Sequence, residues 1–364
     1  MQTQDWPDDV FWRPDGGDDV WRERWGFPDR PRLLEQALAE FESEGLLVPW
    51  LACYGNHEAL VQGVGVVTAE LAARMVGGRK PSRLRPGVPR ADALEVFTTA
   101  PHEFFGEGDG SLAVPADPDR RPVDRREFVD LHFTPAARPA GHGFTERNRR
   151  DGTAYYAHDV DGVRFIALDT TSLAGGSDGR LDEAQFRWLE EELAAVSGRY
   201  AGRDGQEVTT DHDDALVVLF SHHGSGTLTD GPQLAALVHR FPNVVLWLNG
   251  HTHTNAVRAH PHPTVVGGGF WEVTTCAVMD WPCQARVVEL LDAGDGFLAV
   301  ACTMLDHEGR VVPAEGPLLS GSDLAGLHRE LAGNAPWAGF DSPTSGTAVD
   351  RNVVLGLRAP FPRG

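Results

Sequence analysis

Short apolar runs alternate with segments of helical periodicity through the middle of the chain. Residues 155–159, 163–169, 215–220 and 244–248 are predicted strands. Between them, Phe186, Leu189 and Leu193 recur at helical spacing with acidic residues in between, which predicts an amphipathic helix over residues 181–196. A second helix is predicted over residues 232–240. This alternation favours a layered α/β fold with two sheets and helices on the outer faces.

The pattern changes on either side of this region. Upstream, a predicted helix over residues 32–43 is followed by a continuous apolar run over residues 46–53, which predicts a buried strand. Downstream, residues 270–278, 285–291 and 297–305 are strand candidates in close succession, as in an antiparallel meander.

The remaining segments are rich in proline and glycine. Residues 1–30 are expected to be an irregular amino-terminal segment, and residues 309–364 an extension with one short helix near residues 324–331. The sequence between them, residues 31–308, is interpreted as one domain. It carries a long insertion of loops and short helices over residues 77–150, and loops of this length often shape a binding site.

Three predicted strands run into segments that could bind metal: Gly55-Asn56-His57-Glu58, Ser221-His222-His223 and Gly250-His251-Thr252-His253. Open α/β sheets place ligand sites beyond the carboxyl ends of their strands. Gly55 and Gly250 are expected to let the backbone turn sharply at these points. Because side chains two residues apart share a side of an extended segment, His251 and His253 are expected to point the same way. Imidazole nitrogens combined with an amide oxygen suit Mn, Fe, Zn or Ni.

The net charge of the chain disfavours large anionic partners. The 364 residues carry a net charge of -21, and the composition is that of a globular protein with 41% hydrophobic residues. Such a charge repels long nucleic acids and anionic membrane surfaces. A small anionic substrate would need local cations, which bound metal ions would supply. The sequence shows neither a membrane-spanning apolar run nor a signal peptide, so we expect a cytoplasmic protein as the sequence is written; a longer form with an export signal is the alternative.

The four cysteines do not form a recognisable metal or redox motif. Cys53, Cys276, Cys283 and Cys302 lack Cys-x-x-Cys spacing. Cys53 and Cys302 lie in apolar runs and are expected to be small core residues. A disulfide between Cys276 and Cys283 stays open as an alternative.

The three polar segments, taken in order, resemble the calcineurin-like metallophosphoesterases. Motifs of that family read Gly-Asn-His-Asp/Glu, then a histidine that closes a strand, then Gly-x-His-x-His. The resemblance runs from about residue 50 to residue 305, and much of the remainder resembles a bacterial subgroup. It implies a four-layer αββα sandwich of two mixed sheets, two bound metal ions, and hydrolysis of phosphomonoester or phosphodiester bonds by a metal-bound hydroxide.

The resemblance also assigns roles to single residues. It implies that Asn56, His222 and His251 bind one metal ion and that His253 binds the other. It implies that His57 is the general acid, or stabilises the leaving oxygen. His223, beside a ligand, is either a substrate contact or a loop residue.

One further substrate contact is suggested by the residues alone. His142 lies in the long insertion, within Pro139-Ala140-Gly141-His142-Gly143-Phe144, where glycines flank the histidine. The alternative is a turn with an exposed histidine.

The sequence departs from the family at its start. The motifs Asp-x-His and Gly-Asp-x-x-Asp, which supply the carboxylate that bridges the two metal ions, are missing from the 54 residues before Gly55. We therefore expect an amino-terminally shortened chain that lacks its first strand or strands and retains both metal ions or only one. Asp130-Leu131-His132 spells the first motif, after a predicted strand over residues 125–129, and leaves a permuted site open.

Two functions follow from this pattern. The first is a phosphoesterase that acts on a small phosphate ester, and the alternative is a truncated or degenerate family member that binds metal or phosphate without turnover. A metallo-β-lactamase-like hydrolase is disfavoured, because His251-Thr252-His253-Thr254-Asn255 lacks the Asp-His pair of that pattern.

Overall fold

The computed structural model describes residues 12–16, 20–37, 39–81, 85, 87–89, 91–105, 111–311, 320–336 and 338–362. The chain divides into two compact units. We call Met1–Gly45, Gly250–Ala259 and Trp271–Gly364 the terminal unit, and Leu46–Asn249 with His260–Phe270 the central unit.

The described strands are β1 (Arg79–Pro81), β2 (Ser111–Ala113), β3 (Tyr156–Val160), β4 (Val163–Leu168), β5 (Arg199–Ala201), β6 (Glu207–Thr209), β7 (Leu216–Ser221), β8 (Val244–Asn249), β9 (Ala256–Pro261), β10 (Gly269–Thr274), β11 (Gln284–Gly294), β12 (Phe297–Asp306) and β13 (Val353–Arg358). The described helices are α1 (Val20–Trp25), α2 (Leu33–Ala37), α3 (Asn56–Ala59), α4 (Ala69–Met75), α5 (Ala93–Thr99), α6 (Pro101–Phe104), α7 (Arg125–Leu131), α8 (Glu146–Asp151), α9 (Glu183–Ala194), α10 (Gly231–Val238) and α11 (Gly321–Asn334). No described helix has both the length and the apolar character needed to cross a membrane.

The central unit is built on a mixed sheet with the strand order β3-β4-β7-β8-β10-β9. Strands β4, β7 and β8 are parallel, and β3 pairs antiparallel with β4. The chain passes between the two units within β9 and within β10. Because β7 and β8 are neighbours and parallel, their carboxyl ends meet at the same edge of the sheet.

Alternating side chains of the sheet bury both of its faces. Ile166 and Leu168 of β4 pack with Leu189 of α9 and Leu234 of α10, whereas the intervening Ala167 packs on the opposite face with Val129 of α7. The structure is therefore an α/β fold, as the alternating pattern predicted, and helices α9 and α10 cover one face of the sheet.

The apolar run over residues 46–53 does not form the predicted strand. Leu47 is 99% exposed, and Leu46 and Val48 are exposed as well. The later part of the run is extended: the amide of Ala52 donates to the carbonyl of His142 at 2.9 Å, so this part pairs with the long insertion instead of a sheet strand. The apolar composition of residues 46–53 could not show whether the run pairs with a sheet strand or with the long insertion.

The terminal unit has its own antiparallel sheet and its own core. Strand β12 lies between β11 and β13 in that sheet. Trp12, Trp21 and Phe27 pack with Leu327 and Leu331 of α11 in a buried cluster. Helix α11 therefore holds the amino-terminal segment by apolar packing.

Most other predicted elements are confirmed, with a few differences. Helices α9, α10 and α11 and strands β3, β4, β7, β8, β10, β11 and β12 lie where the pattern predicted them. Strands β9 and β13 and the three-residue strands β1, β2, β5 and β6 were missed, and the helix predicted over residues 32–43 is found only as α2. In the meander, β13 rather than β10 is the third strand, because it pairs with β12.

The structure also bears on two alternatives that the sequence left open, namely the permuted site and the disulfide. The predicted strand over residues 125–129 is part of helix α7, and Asp130 near its end pairs with Arg149 at 2.8 Å. The permuted site is therefore wrong, because no strand presents Asp130 and His132. All four cysteines are free thiols, so the Cys276–Cys283 disulfide is absent.

Candidate metal centre

Asn56 presents a buried oxygen that lacks a protein partner. Its side-chain Nδ2 donates to the carbonyl of Gly63 at 2.8 Å, which fixes the orientation of the amide. The other end, Oδ1, is buried and accepts no hydrogen bond. Leaving a buried acceptor unsatisfied costs about 1–3 kcal/mol, and such groups are uncommon in folded proteins. An oriented, unpaired amide oxygen is suited to binding a cation.

Gly55 brings the start of this segment against His222. A Cβ atom at Gly55 would lie 2.9 Å from Nδ1 of His222 and 2.8 Å from Oε2 of Glu58. Glu58 in turn accepts the backbone amide of Gly55 at 3.0 Å and caps helix α3. The φ angle of Gly55 is -127°, so the expected sharp turn is wrong. Glycine is needed here for close approach between the backbone and the imidazole.

Gly63 supports both Asn56 and His57. Its φ angle is +71°, and an added Cβ would lie 2.5 Å from Nδ2 of Asn56 and 2.7 Å from Nε2 of His57. The His57 side chain is otherwise exposed. The sequence did not indicate Gly63. This residue lies seven positions after Asn56, and only the folded loop brings its carbonyl group to the Asn56 amide.

His223 is held by hydrogen bonds on both ring nitrogens. Its Nε2 donates to the carbonyl of Ser177 at 2.9 Å, and its Nδ1 lies 2.8 Å from Oγ1 of Thr170. The ring is fully buried. A substrate contact by His223 would require one of these bonds to break, so its contacts favour a role in positioning His222, its neighbour in sequence. The two rings lie 4.8 Å apart and almost perpendicular.

The Gly250-His251-Thr252-His253 segment belongs to the terminal unit and has a different geometry. His251 has φ +67° and His253 has φ +54°, so the expected extended conformation is wrong. Left-handed backbone at a residue other than glycine costs on the order of 1–3 kcal/mol and is concentrated at functional sites. The turn is made by the histidines, and Gly250 itself has no positive φ.

No family model matches the sequence, and no curated protein is similar to it. Among solved structures, the chain is similar to a dimetal phosphatase from Danio rerio. The TM-score is 0.31 and the identity is 14%, and the match covers 42% of this chain and 58% of that one. The chain thus matches less than two thirds of that phosphatase.

Asp169 is a buried carboxylate in the central unit that already has a cationic partner. Its Oδ2 lies 2.9 Å from Nε of Arg125, and its Oδ1 accepts the amide of Thr171. Burial raises the pKa of Asp169 although Arg125 opposes the shift. Burial, with smaller contributions from Asp169 and Glu58, raises the pKa of the nearby Cys53 thiol to about 12. The Asp169 carboxylate is therefore paired with the Arg125 guanidinium.

His142 is packed into the central unit. Its ring stacks on Trp50 with a centroid distance of 3.4 Å, and its Nδ1 lies 3.2 Å from the carbonyl of the same residue. The side chain is buried, so the alternative of an exposed histidine is wrong. These contacts hold the segment before Gly55 against the long insertion.

Proposed function

We propose that this chain binds divalent metal ions at the carboxyl edge of the central sheet and hydrolyses small phosphomonoesters or phosphodiesters. In this proposal Asn56, His222 and His251 bind one metal ion and His253 binds the second. The observation that carries it is the buried, oriented and unpaired Oδ1 of Asn56 in the segment that Gly55 holds against His222. Imidazole and amide donors together suit borderline metals such as Mn, Fe, Zn and Ni.

The strand topology supports the choice of His222 and His251. His222 directly follows β7, and His251 comes two residues after β8. Because these strands are parallel neighbours, both histidines leave the sheet at the edge where α/β folds bind ligands.

The proposed ligands are all neutral, which matters in a chain of net charge -21. A site without carboxylates does not offset the charge of the ions it holds, so it can attract a phosphate group against the field of the protein. When bound, the divalent cations would polarise the phosphoryl group and activate a water nucleophile.

His57 is proposed to donate a proton to the leaving oxygen. It follows Asn56 directly, its ring rests against Gly63, and its side chain is exposed. The Gly63 loop thus holds the proposed acid and the proposed ligand in one fixed relation. Loss of a general acid typically lowers a rate by about 10²–10⁴-fold.

A second candidate is binding of metal or phosphate without turnover. It is favoured by the pairing of Asp169 with Arg125, because the proposed ligand set then contains no carboxylate to join two metal ions. In that case the site would bind one ion through Asn56, His222 and His251.

Hydrolysis of bis(p-nitrophenyl) phosphate and p-nitrophenyl phosphate with added Mn²⁺ separates the two candidates. An esterase should lose about 10²–10⁴-fold in kcat in His57→Ala. His212→Ala, which removes an exposed histidine of the 210–214 loop, should leave kcat unchanged. Binding of Mn²⁺ or inorganic phosphate without hydrolysis would support the second candidate, and absence of binding of either would contradict both.

A further inference from the structure

His253 has a carboxylate partner that the sequence did not indicate. Its Nδ1 lies 2.5 Å from Oδ2 of Asp280, and both residues belong to the terminal unit. The two side chains are 35% and 37% exposed, so this is a half-exposed pair. Its direct contribution to the free energy of unfolding should be small, about 0–1 kcal/mol.

The hydrogen bond determines which ring nitrogen of His253 is available. An ionised carboxylate only accepts hydrogen bonds, so Nδ1 must carry the proton. In the neutral ring, Nε2 then has the free lone pair, which is the form that binds a metal ion. Without this partner, both tautomers of the imidazole would be populated.

Asp280 is held in place by contacts on both sides of it in sequence. The carbonyl of Met279 lies 2.8 Å from Nε2 of His328 on helix α11. The indole nitrogen of Trp281 donates to Oγ of Ser345 at 3.0 Å. The carboxylate is thus presented by a loop whose neighbouring residues are anchored to other parts of the terminal unit.

The backbone conformation at His253 is a second reason why the hydrogen bond to Asp280 matters. Its left-handed conformation (φ +54°) is unfavourable for a residue with a Cβ atom. The imidazole on this backbone is half-exposed, so packing encloses only part of its ring. The hydrogen bond to Asp280 supplies that orientation.

We propose that Asp280 is a positioning residue, which keeps His253 in the Nδ1-protonated form and leaves Nε2 to bind the second metal ion. This inference rests on the proposed function for its metal-binding consequence. Carboxylate partners of metal-binding histidines fix tautomer and ring orientation, and their loss typically lowers metal affinity about 10–100-fold.

The test combines metal binding with a measurement on the metal-free chain. Mn²⁺ titration calorimetry of Asp280→Asn should show about a 10–100-fold weaker affinity at one site, with the other site unchanged. Asp306→Asn is the matched control: Asp306 also pairs on the terminal unit, with Arg329 at 2.6 Å, but contacts no proposed ligand. This control should bind Mn²⁺ as the parent chain does.

The second measurement is the ¹⁵N chemical shift of the His253 ring nitrogens without metal. The parent chain should show the Nδ1-protonated tautomer, and Asp280→Asn should show a mixture or the Nε2-protonated form. An Nε2-protonated ring in the parent chain would overturn the inference, as would unchanged Mn²⁺ affinity in Asp280→Asn.

These outcomes separate the inference from the proposed function. If the parent chain binds no Mn²⁺, the proposed function fails, and the tautomer alone decides whether Asp280 positions His253. If Asp280→Asn does not fold, the tautomer of the parent chain decides it. Asp280→Glu keeps the carboxylate and should retain the Nδ1-protonated ring.

Discussion

The two histidine segments that follow β7 and β8 are held by different means. His223 is fully buried, and both of its ring nitrogens are engaged by Thr170 and Ser177. His253 is half-exposed on a left-handed backbone and is oriented by the carboxylate of Asp280. The first segment is therefore fixed by packing and buried hydrogen bonds, whereas His253 of the second is oriented by backbone conformation and its contact with Asp280.

This difference indicates that the two segments should respond differently to substitution. Changes in the buried segment should lower the stability of the whole chain, because they leave buried polar groups unpaired. Changes in the half-exposed segment should alter metal binding with little effect on stability. The proposed ligand Asn56 is buried, like the first segment, but its side-chain Oδ1 has no hydrogen-bond partner.

Substitution of Asn56 should have the largest effect on metal binding. Asn56→Ala should weaken Mn²⁺ binding by more than about 100-fold, since loss of a ligand should exceed the loss of a positioning partner. Because the variant also removes an unsatisfied buried acceptor, the free energy of unfolding without metal should change by less than about 1 kcal/mol. Calorimetry and urea unfolding measure the two quantities.

Asn148→Ala is the matched control for Asn56→Ala. Asn148 is equally buried, but its amide is fully engaged: Oδ1 accepts from Thr145, and Nδ2 donates to the carbonyl of Tyr155. It should lose about 1–3 kcal/mol of stability without weaker Mn²⁺ binding in the folded protein. A larger stability loss in Asn56→Ala than in Asn148→Ala would contradict the assignment of Asn56.

Gly63→Ala should be the most destabilising single change near the site. The new Cβ would meet Nδ2 of Asn56 at 2.5 Å on a backbone with φ +71°. Backbone strain costs about 1–2 kcal/mol, and overpacking adds about 1–3 kcal/mol. Gly162→Ala, at φ +78° with no atom within 4 Å, should show the strain alone. If urea unfolding shows equal losses of free energy of unfolding in Gly63→Ala and Gly162→Ala, Gly63 is not crowded.

His223→Ala and His253→Ala test the contrast between the segments directly. His223→Ala should lower the free energy of unfolding by about 1–3 kcal/mol, because it removes the ring partner of Thr170 and Ser177. His253→Ala should lower it by less than about 1 kcal/mol, as expected for a half-exposed pair. Equal stability losses, measured without metal, would remove the basis of the comparison.

A further prediction concerns the left-handed backbone at His253. His253→Gly should be more stable than His253→Ala by about 1–2 kcal/mol, because only the alanine has a Cβ atom strained at φ +54°. At Thr252, which lacks a positive φ, the order should reverse by about 0.5–1 kcal/mol. Thermal unfolding without metal compares the four variants. The same order at both positions would show that His253 is not strained.

The sequence predicted the sheet better than the loops around it. Strands β7 and β8 are buried on both faces over most of their length, as their continuous apolar runs predicted. The run over residues 46–53 has a similar composition but pairs with the insertion around His142, a contact far away in sequence. Local patterns carry no information about such a partner.

The candidate site was predicted in its residue types but not in its geometry. Strand ends and histidine spacing selected Asn56, His222, His251 and His253 as candidate ligands, and metal binding by these residues stays a prediction. The contact that orients Asn56 comes from Gly63, and the one that orients His253 comes from Asp280; the spacing of the histidines indicated neither. The left-handed conformation of His251 and His253 was also not predictable, because their spacing fits an extended strand equally well.

The most direct test of metal binding by Asn56 is Mn²⁺ titration of the ¹⁵N-labelled chain, followed through its side-chain amide signals. If Asn56 is a ligand, its amide signal should broaden first, at well below one equivalent of Mn²⁺, while that of the buried Asn148 stays sharp. Equal broadening of both signals, or none at one equivalent, would contradict a metal centre at Asn56.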